Sequence, residues 1–215
     1  MTQLASDGGR PSTRKREAAG RSNGADTRER IIQAATAEFK VVGYDGTTVS
    51  SIARASGVTT PALYWHFPSK EEICFACLER IYDEQYAVVC AANVGQDASE
   101  RLGSVVDAWV RDVLSDRQLA TGFNPNQLIR SLSDDHRKVL RRKGGEFQRL
   151  ILGILADGVT EGSFAVKDPI ITANVIITAC DYAFMWLKAS PERPIDVIAA
   201  RYGELTVAMA SGGAR

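Results

Sequence analysis

The stretch Thr48-Val49-Ser50-Ser51-Ile52-Ala53-Arg54-Ala55-Ser56-Gly57-Val58-Thr59-Thr60-Pro61-Ala62-Leu63-Tyr64-Trp65-His66 decides the fold. Thr47 or Thr48 can cap a short helix running to about Arg54, with Val49, Ile52 and Ala53 apolar. Gly57 supplies a tight turn. Thr59 or Thr60 then caps a second short helix, with Pro61 in the first turn, where a missing N–H is tolerated. That helix ends near Tyr64 and Trp65, and Pro68 breaks the chain again. Two short helices joined by a Gly-containing turn and packed on a preceding helix make a helix-turn-helix.

Outward from this stretch the pattern stays helical. Upstream, Ile31, Ala35, Phe39 and Val42 form one apolar stripe of a helix that starts at Asp26 or Thr27 and closes at Gly43. Downstream, Ser69 and Glu72 read as a capping box opening a long helix from Lys70 towards Ala92. Gly and Pro punctuation then separates helices near 98–117, 125–133, 135–161, 168–189 and 195–211. No segment reads as a strand. The expected fold is all-α, with a three-helix head at 26–70 on a five- to six-helix body at 71–215. Residues 1–25 are rich in Gly, Ser, Arg and Ala without a hydrophobic period, and read as a disordered basic arm.

The 215 residues carry 26 Lys/Arg against 26 Asp/Glu, a formal net charge of zero that hides an asymmetry. Residues 1–70 carry ten Lys/Arg and six Asp/Glu, a net of +4, so the remainder is at −4. A basic end beside an acidic body points to a polyanionic partner at that end. Arg10, Arg14, Lys15, Arg16 and Arg21 are either a solvated tail or an arm that follows phosphates or enters a minor groove. The polar first 26 residues contain no signal peptide, and the apolar stretch at 170–187 is broken by Thr172, Asn174, Thr178 and Asp181. A cytoplasmic protein without a membrane span is expected. Cys74-x-x-Cys77 has zinc or redox spacing, but with no second pair or His cluster the four cysteines read as buried free thiols and no metal is expected.

In a helix-turn-helix the first short helix braces against the backbone while the second enters the major groove. Here the second helix offers Thr59, Thr60, Pro61 and Ala62, whose hydroxyls suit base edges or phosphates and whose small apolar groups suit a thymine methyl. Thr48 joins them from the first short helix. Tyr64, His66 and Lys70 follow at the exit, in reach of phosphates. Ile31, Phe39, Ile52, Leu63 and Phe67 read as core of the head. Double-stranded DNA is the expected partner.

The run Thr48–Ala53, then Ala55, Gly57-Val58-Thr59 and Leu63-Tyr64-Trp65-His66-Phe67-Pro68-Ser69-Lys70-Glu71, resembles the tetracycline-repressor (TetR) family. Ile31, Ala34, Ala35, Phe39, Gly43 and Tyr44 fit that family's first helix, so the resemblance covers residues 27–73. It implies a ligand-responsive transcriptional regulator, a pocket inside the body, and a homodimer paired through the helices near 168–189 and 195–211. The second of these offers Ile195, Ile198, Tyr202, Leu205 and Met209 at helical spacing. The first is apolar on most faces and reads as buried on all sides.

Residues 71–215 hold no G-x-S-x-G, phosphate loop or H-E-x-x-H, so neither a catalytic residue nor a cofactor is expected. Arg137, Lys138, Arg141, Arg142 and Lys143 put five cations in seven residues, which is a solvated face or a phosphate clamp. The pattern Gly158-Val159-Thr160-Glu161-Gly162-Ser163-Phe164, followed by an apolar helix with Trp186, resembles regulators of lipid or sterol catabolism, some of which respond to acyl-coenzyme A. The expected effector is therefore large and apolar, with an acyl-CoA thioester first and Arg141, Arg142, Lys143, Trp109 and Phe147 as its contacts. A drug-responsive repressor of efflux is the alternative. From other classes, a ligand-independent architectural DNA-binding protein and an enzyme are disfavoured.

Overall fold

The computed structural model describes residues 13–115, 128–187 and 190–212, which contain nine helices and no strand. These are α1 (Thr13–Gly46), α2 (Val49–Ala55), α3 (Thr60–His66), α4 (Lys70–Ala91), α5 (Ala98–Leu114), α6 (Asp134–Glu161), α7 (Pro169–Asp181), α8 (Ala183–Trp186) and α9 (Ile195–Ala210). Of the helix expected near 125–133, residues 128–133 are described, and only 128 and 129 are helical; the chain then turns towards α6.

Residues 1–25 were expected to be unstructured, but α1 is already helical from Thr13. Lys, Arg, Glu and Ala between 13 and 19 are good helix formers, and extending an existing helix avoids the nucleation penalty. The expected stop at Gly43 is present, since its backbone leaves the helix at φ 74°, ψ 176°. Buried Thr47 bridges the break by donating from Oγ1 to the Gly43 carbonyl at 2.7 Å.

α1, α2 and α3 close on one core of Ile31, Phe39, Ile52, Leu63 and Phe67, as expected. α4 adds Ile73, Cys74 and Leu78 to this core, and its far end gives Val89 to the body core. The boundary expected between residues 70 and 71 thus lies at the start of a helix that serves both units. Leu128, Leu132 and Leu140 also reach the head core, so body and head share apolar surface.

Only half of the expected capping box at α4 forms. Ser69 accepts from the Glu72 N–H at 3.1 Å, while the Glu72 carboxylate sits 3.4 Å from His136 Nε2. A complete box occurs instead at α2, between Thr48 and Ser51.

In the body, α5, α6, α7 and α9 bury Leu102, Trp109, Phe147, Ile151, Ile176 and Ile198. α6 ends at Gly162 (φ 78°), with the Ser163 and Phe164 N–H groups both donating to the Gly158 carbonyl at 2.9 and 3.0 Å. Phe164 folds onto Gly158 so closely that a Cβ there would lie 2.1 Å from the ring. The Gly158–Phe164 pattern is therefore a helix-ending device.

The helix expected at 168–189 is broken at Tyr182 into α7 and α8, and it is not buried on all sides. Ala173, Ile176 and Cys180 face the core, whereas Ile170 and Ile171 are 60% and 62% exposed in the single chain. On α9, Val197 and Leu205 are likewise exposed. Among the described residues no helix is long and apolar enough to cross a membrane.

Candidate nucleic-acid interface

The α2–α3 turn is held from behind. Gly57 takes φ 69°, and Arg30 of α1 donates to the adjacent Ser56 carbonyl at 3.2 Å. Thr48 and Thr59 are the caps: their Oγ1 atoms accept from Ser51 N at 3.0 Å and Ala62 N at 3.3 Å. A capping hydroxyl keeps its proton and a second lone pair for another partner. α3 buries Leu63 completely and turns the rest of its surface outward. Thr59 and Pro61 are exposed, Thr60, Ala62 and His66 are half-buried, and Tyr64 is exposed.

Trp65 is the residue the sequence reading passed over. It is 90% exposed at the end of α3, although an indole is among the largest apolar surfaces a side chain offers. The available signal was its neighbour: with Leu63 facing the core, a residue two positions on points away.

Lys70 is engaged within the chain. It donates to the Tyr44 and Thr47 carbonyls at 2.9 and 3.1 Å and lies 4.1 Å from the centre of the Tyr44 ring. It closes the end of α1 against α2, which leaves one of its three protons for a phosphate.

In the body, the residues picked as effector contacts separate into two groups. Trp109 and Phe147 are brought together, with ring centres 4.8 Å apart, and Tyr86 meets Phe147 edge-on at 5.1 Å. The cations do not join them. Lys143 is paired with Asp83 and Glu79 at 2.5 and 3.6 Å, Arg137 with Asp134, and Lys138 with Asp135. Arg141 and Arg142 are exposed. The solvated-face reading thus holds for much of the run.

Cys74 and Cys77 are buried, and desolvation pushes their thiols up to about 12 and about 11, far from the reactive thiolate. Cys180 is buried as expected, but Cys90 is exposed on the outer face of α4, a correction to the all-buried expectation. Among the described residues, no group of three or more His, Cys, Asp or Glu could hold a metal.

A small helical head that presents polar and aromatic groups from a helix-turn-helix, joined to a helical body, defines a DNA-binding regulator. Two family models match: "Bacterial regulatory proteins, tetR family" over residues 31–77 and "Tetracyclin repressor-like, C-terminal domain" over 95–210. The chain belongs to the tetR family and is a DNA-binding transcriptional regulator, not an enzyme. It is 25% identical to the HTH-type transcriptional repressor KstR2 of Rhodococcus jostii over 81% of this chain and 86% of that protein. It is 37% identical to the regulator TtgR of Pseudomonas putida over 36% of this chain and 37% of that one. A tetR-family protein of Rhodococcus RHA1 superposes with TM-score 0.77 at 27% identity, covering 88% of this chain and 98% of its own. AibR, solved with isovaleryl coenzyme A and operator DNA, shares the fold at TM-score 0.68 and 18% identity, over 87% of this chain and 100% of its own.

Proposed function

We propose that the chain acts as a homodimer on a palindromic operator and is released by a large apolar effector held in the body. The exposed apolar faces of α7 and α9 support the dimer: Ile170, Ile171 and Val175 on one, Val197, Leu205 and Met209 on the other. Such faces on adjacent elements mark an interaction site. Two-fold symmetry in the protein then demands two-fold symmetry in the DNA site. Thr60, Pro61 and Ala62 read base edges, Thr48, Thr59, Tyr64, His66 and Lys70 bind the backbone, and the basic segment before residue 26 adds phosphate contacts.

The aromatic lining around Trp109 and Phe147 supports an apolar effector. The fold accommodates a coenzyme A thioester in AibR, which keeps an acyl-CoA thioester as the first class to test. Exposed Arg141 and Arg142 are the cations available for its phosphates. The experiment selects genomic DNA with the purified protein, then challenges the complex with acyl-CoA esters, the matching free acids and cationic drugs. An inverted repeat released by the thioester but not by its acid is the expected result. Asymmetric single half-sites count against the dimer, and release by drugs alone moves the effector to the efflux class.

A further inference from the structure

Asp181 is a carboxylate in an apolar place. It ends α7 where that helix breaks, and Trp109 Nε1 of α5 donates to its Oδ1 at 3.1 Å. Trp109 is itself buried and packs tilted against Phe147 of α6, and the Tyr82 hydroxyl of α4 is pushed up chiefly by burial and further by the Asp181 charge. Side chains of α4, α5, α6 and α7 are thus gathered near one acidic group. Among the described residues no donor to its Oδ2 is seen, and the Asp181 side chain keeps partial exposure.

A half-satisfied carboxylate among aromatic rings works against folding. Burial raises its carboxyl to about 6 even though the Trp109 hydrogen bond acts to lower it. Perturbed groups of this kind concentrate where a protein binds something. At neutral pH the group is ionised and can only accept.

Resting on the reading that the body holds an apolar effector, we infer that Asp181 accepts a hydrogen bond from the buried end of that effector, which therefore carries an amine or hydroxyl. The surrounding rings cover the apolar part, and Oδ2 supplies the single directional contact. This is the usual division of labour in a small-molecule site: many apolar walls and few placed polar groups.

The test uses the full chain at pH 7.5 with three probes of equal chain length: dodecylamine, dodecanol and methyl dodecanoate, the last of which can only accept. Binding is read by calorimetry and by release of operator DNA. The wild type is expected to bind the amine and the alcohol at least tenfold more tightly than the ester. Asp181→Asn keeps an oxygen for Trp109 and offers an N–H₂ to the ligand, so the ester should gain and the amine lose at least tenfold. Trp109→Phe, which keeps the carboxylate, should retain the preference for donors. An unchanged probe ranking in Asp181→Asn overturns the assignment, because a residue with only a packing role would weaken all three alike. If acyl-CoA esters release the operator equally from wild type and Asp181→Asn, the apolar-effector reading stands and the Asp181 assignment falls. If no apolar probe binds either protein, both fall.

Discussion

Glu71 and His136 face each other across the junction of head and body, with Glu71 Oε1 2.8 Å from His136 Nδ1. The same oxygen accepts the Ser133 N–H at 2.7 Å, and the imidazole lies 4.2 Å from the Phe75 ring in a stacked arrangement. Glu71 thus ties the first turn of α4 to the start of α6, while its neighbour Lys70 grips the end of α1. α6 is thereby linked through α4 to the end of α1.

Glu71→Gln should therefore loosen this junction in a pH-dependent way. The Ser133 backbone N–H, helped by the Ser133 hydroxyl and His136, holds the Glu71 carboxyl down at about 2. A depressed carboxyl contributes stability above its unfolded pKa of roughly 4.3 and loses it as pH falls through the folded value. The side chain is a third exposed, so solvent screening limits the contribution to about 1 kcal/mol. Urea titrations should show the gap between wild type and variant at pH 6 and its disappearance near pH 2. A gap independent of pH would show that the carboxylate charge is not what holds the junction.

Lys70→Met should act twice. Loss of two donors to the Tyr44 and Thr47 carbonyls should lower the stability of the DNA-free chain by about 1–3 kcal/mol. Loss of a phosphate contact should reduce the salt slope of operator binding by about 1. Tyr64→Phe should affect binding alone, and Thr60→Val should change base preference at one position by roughly 1–3 kcal/mol. If Lys70→Met lowers stability and leaves the salt slope unchanged, Lys70 belongs to the scaffold of the head and not to the interface.

Trp65 gives a cleaner separation of binding from folding. With 90% of its surface exposed, Trp65→Ala should leave stability within about 0.5 kcal/mol of wild type. Operator affinity should fall, and operator DNA should alter the indole emission in a chain where Trp109 and Trp186 are replaced by Phe. Equal operator affinity with and without the indole would remove Trp65 from the interface.

The head was legible because its signals are local. Caps such as Thr48 and Thr59, the stop at Gly43 and the turn at Gly57 act within four residues, so spacing alone reveals them. What escaped depends on distant partners. Lys143 looked like a free cation until Asp83 and Glu79 of α4 came beside it. Glu72 abandoned its cap for a histidine 64 positions away. The break at Tyr182 carries no Gly or Pro to announce it, and the burial of Asp181 appears only when α4, α5 and α6 close around it. Helix starts are written nearby; the fate of a charge is written by whatever packs against it.

Leu205→Arg on α9 should convert the protein to a monomer in sedimentation, since the residue is 54% exposed in the single chain. Burying an unpaired guanidinium between two apolar helix faces is strongly unfavourable, whereas the isolated chain accepts it in water. Thermal unfolding of the dilute chain should barely change, and operator affinity should fall because two half-sites are no longer bound together. A dimer of undiminished strength would place the interface elsewhere than α7 and α9.

Asp181→Asn should stabilise the effector-free protein at neutral pH. The folded pKa of Asp181 is raised to about 6 from 3.8, chiefly by burial. For a raised carboxyl the favourable contribution is fully present below the unfolded pKa and is lost as pH rises through the folded one. At pH 7.5 the ionised group therefore destabilises the fold relative to a neutral isostere, by about 3 kcal/mol for a shift of this size. Asn removes the charge and keeps an acceptor for the Trp109 indole. Its Tm should exceed that of wild type at pH 7.5, and the two curves should draw together as pH falls through 6 and meet below about 3, where Asp181 is protonated in both folded and unfolded chains. The neighbouring Tyr82 and Cys180, both pushed up by burial, stay protonated in this window. A variant less stable than wild type throughout pH 4 to 7.5 would mean that the carboxylate contributes to holding α7 against α5, and that the body was not destabilised to place it there.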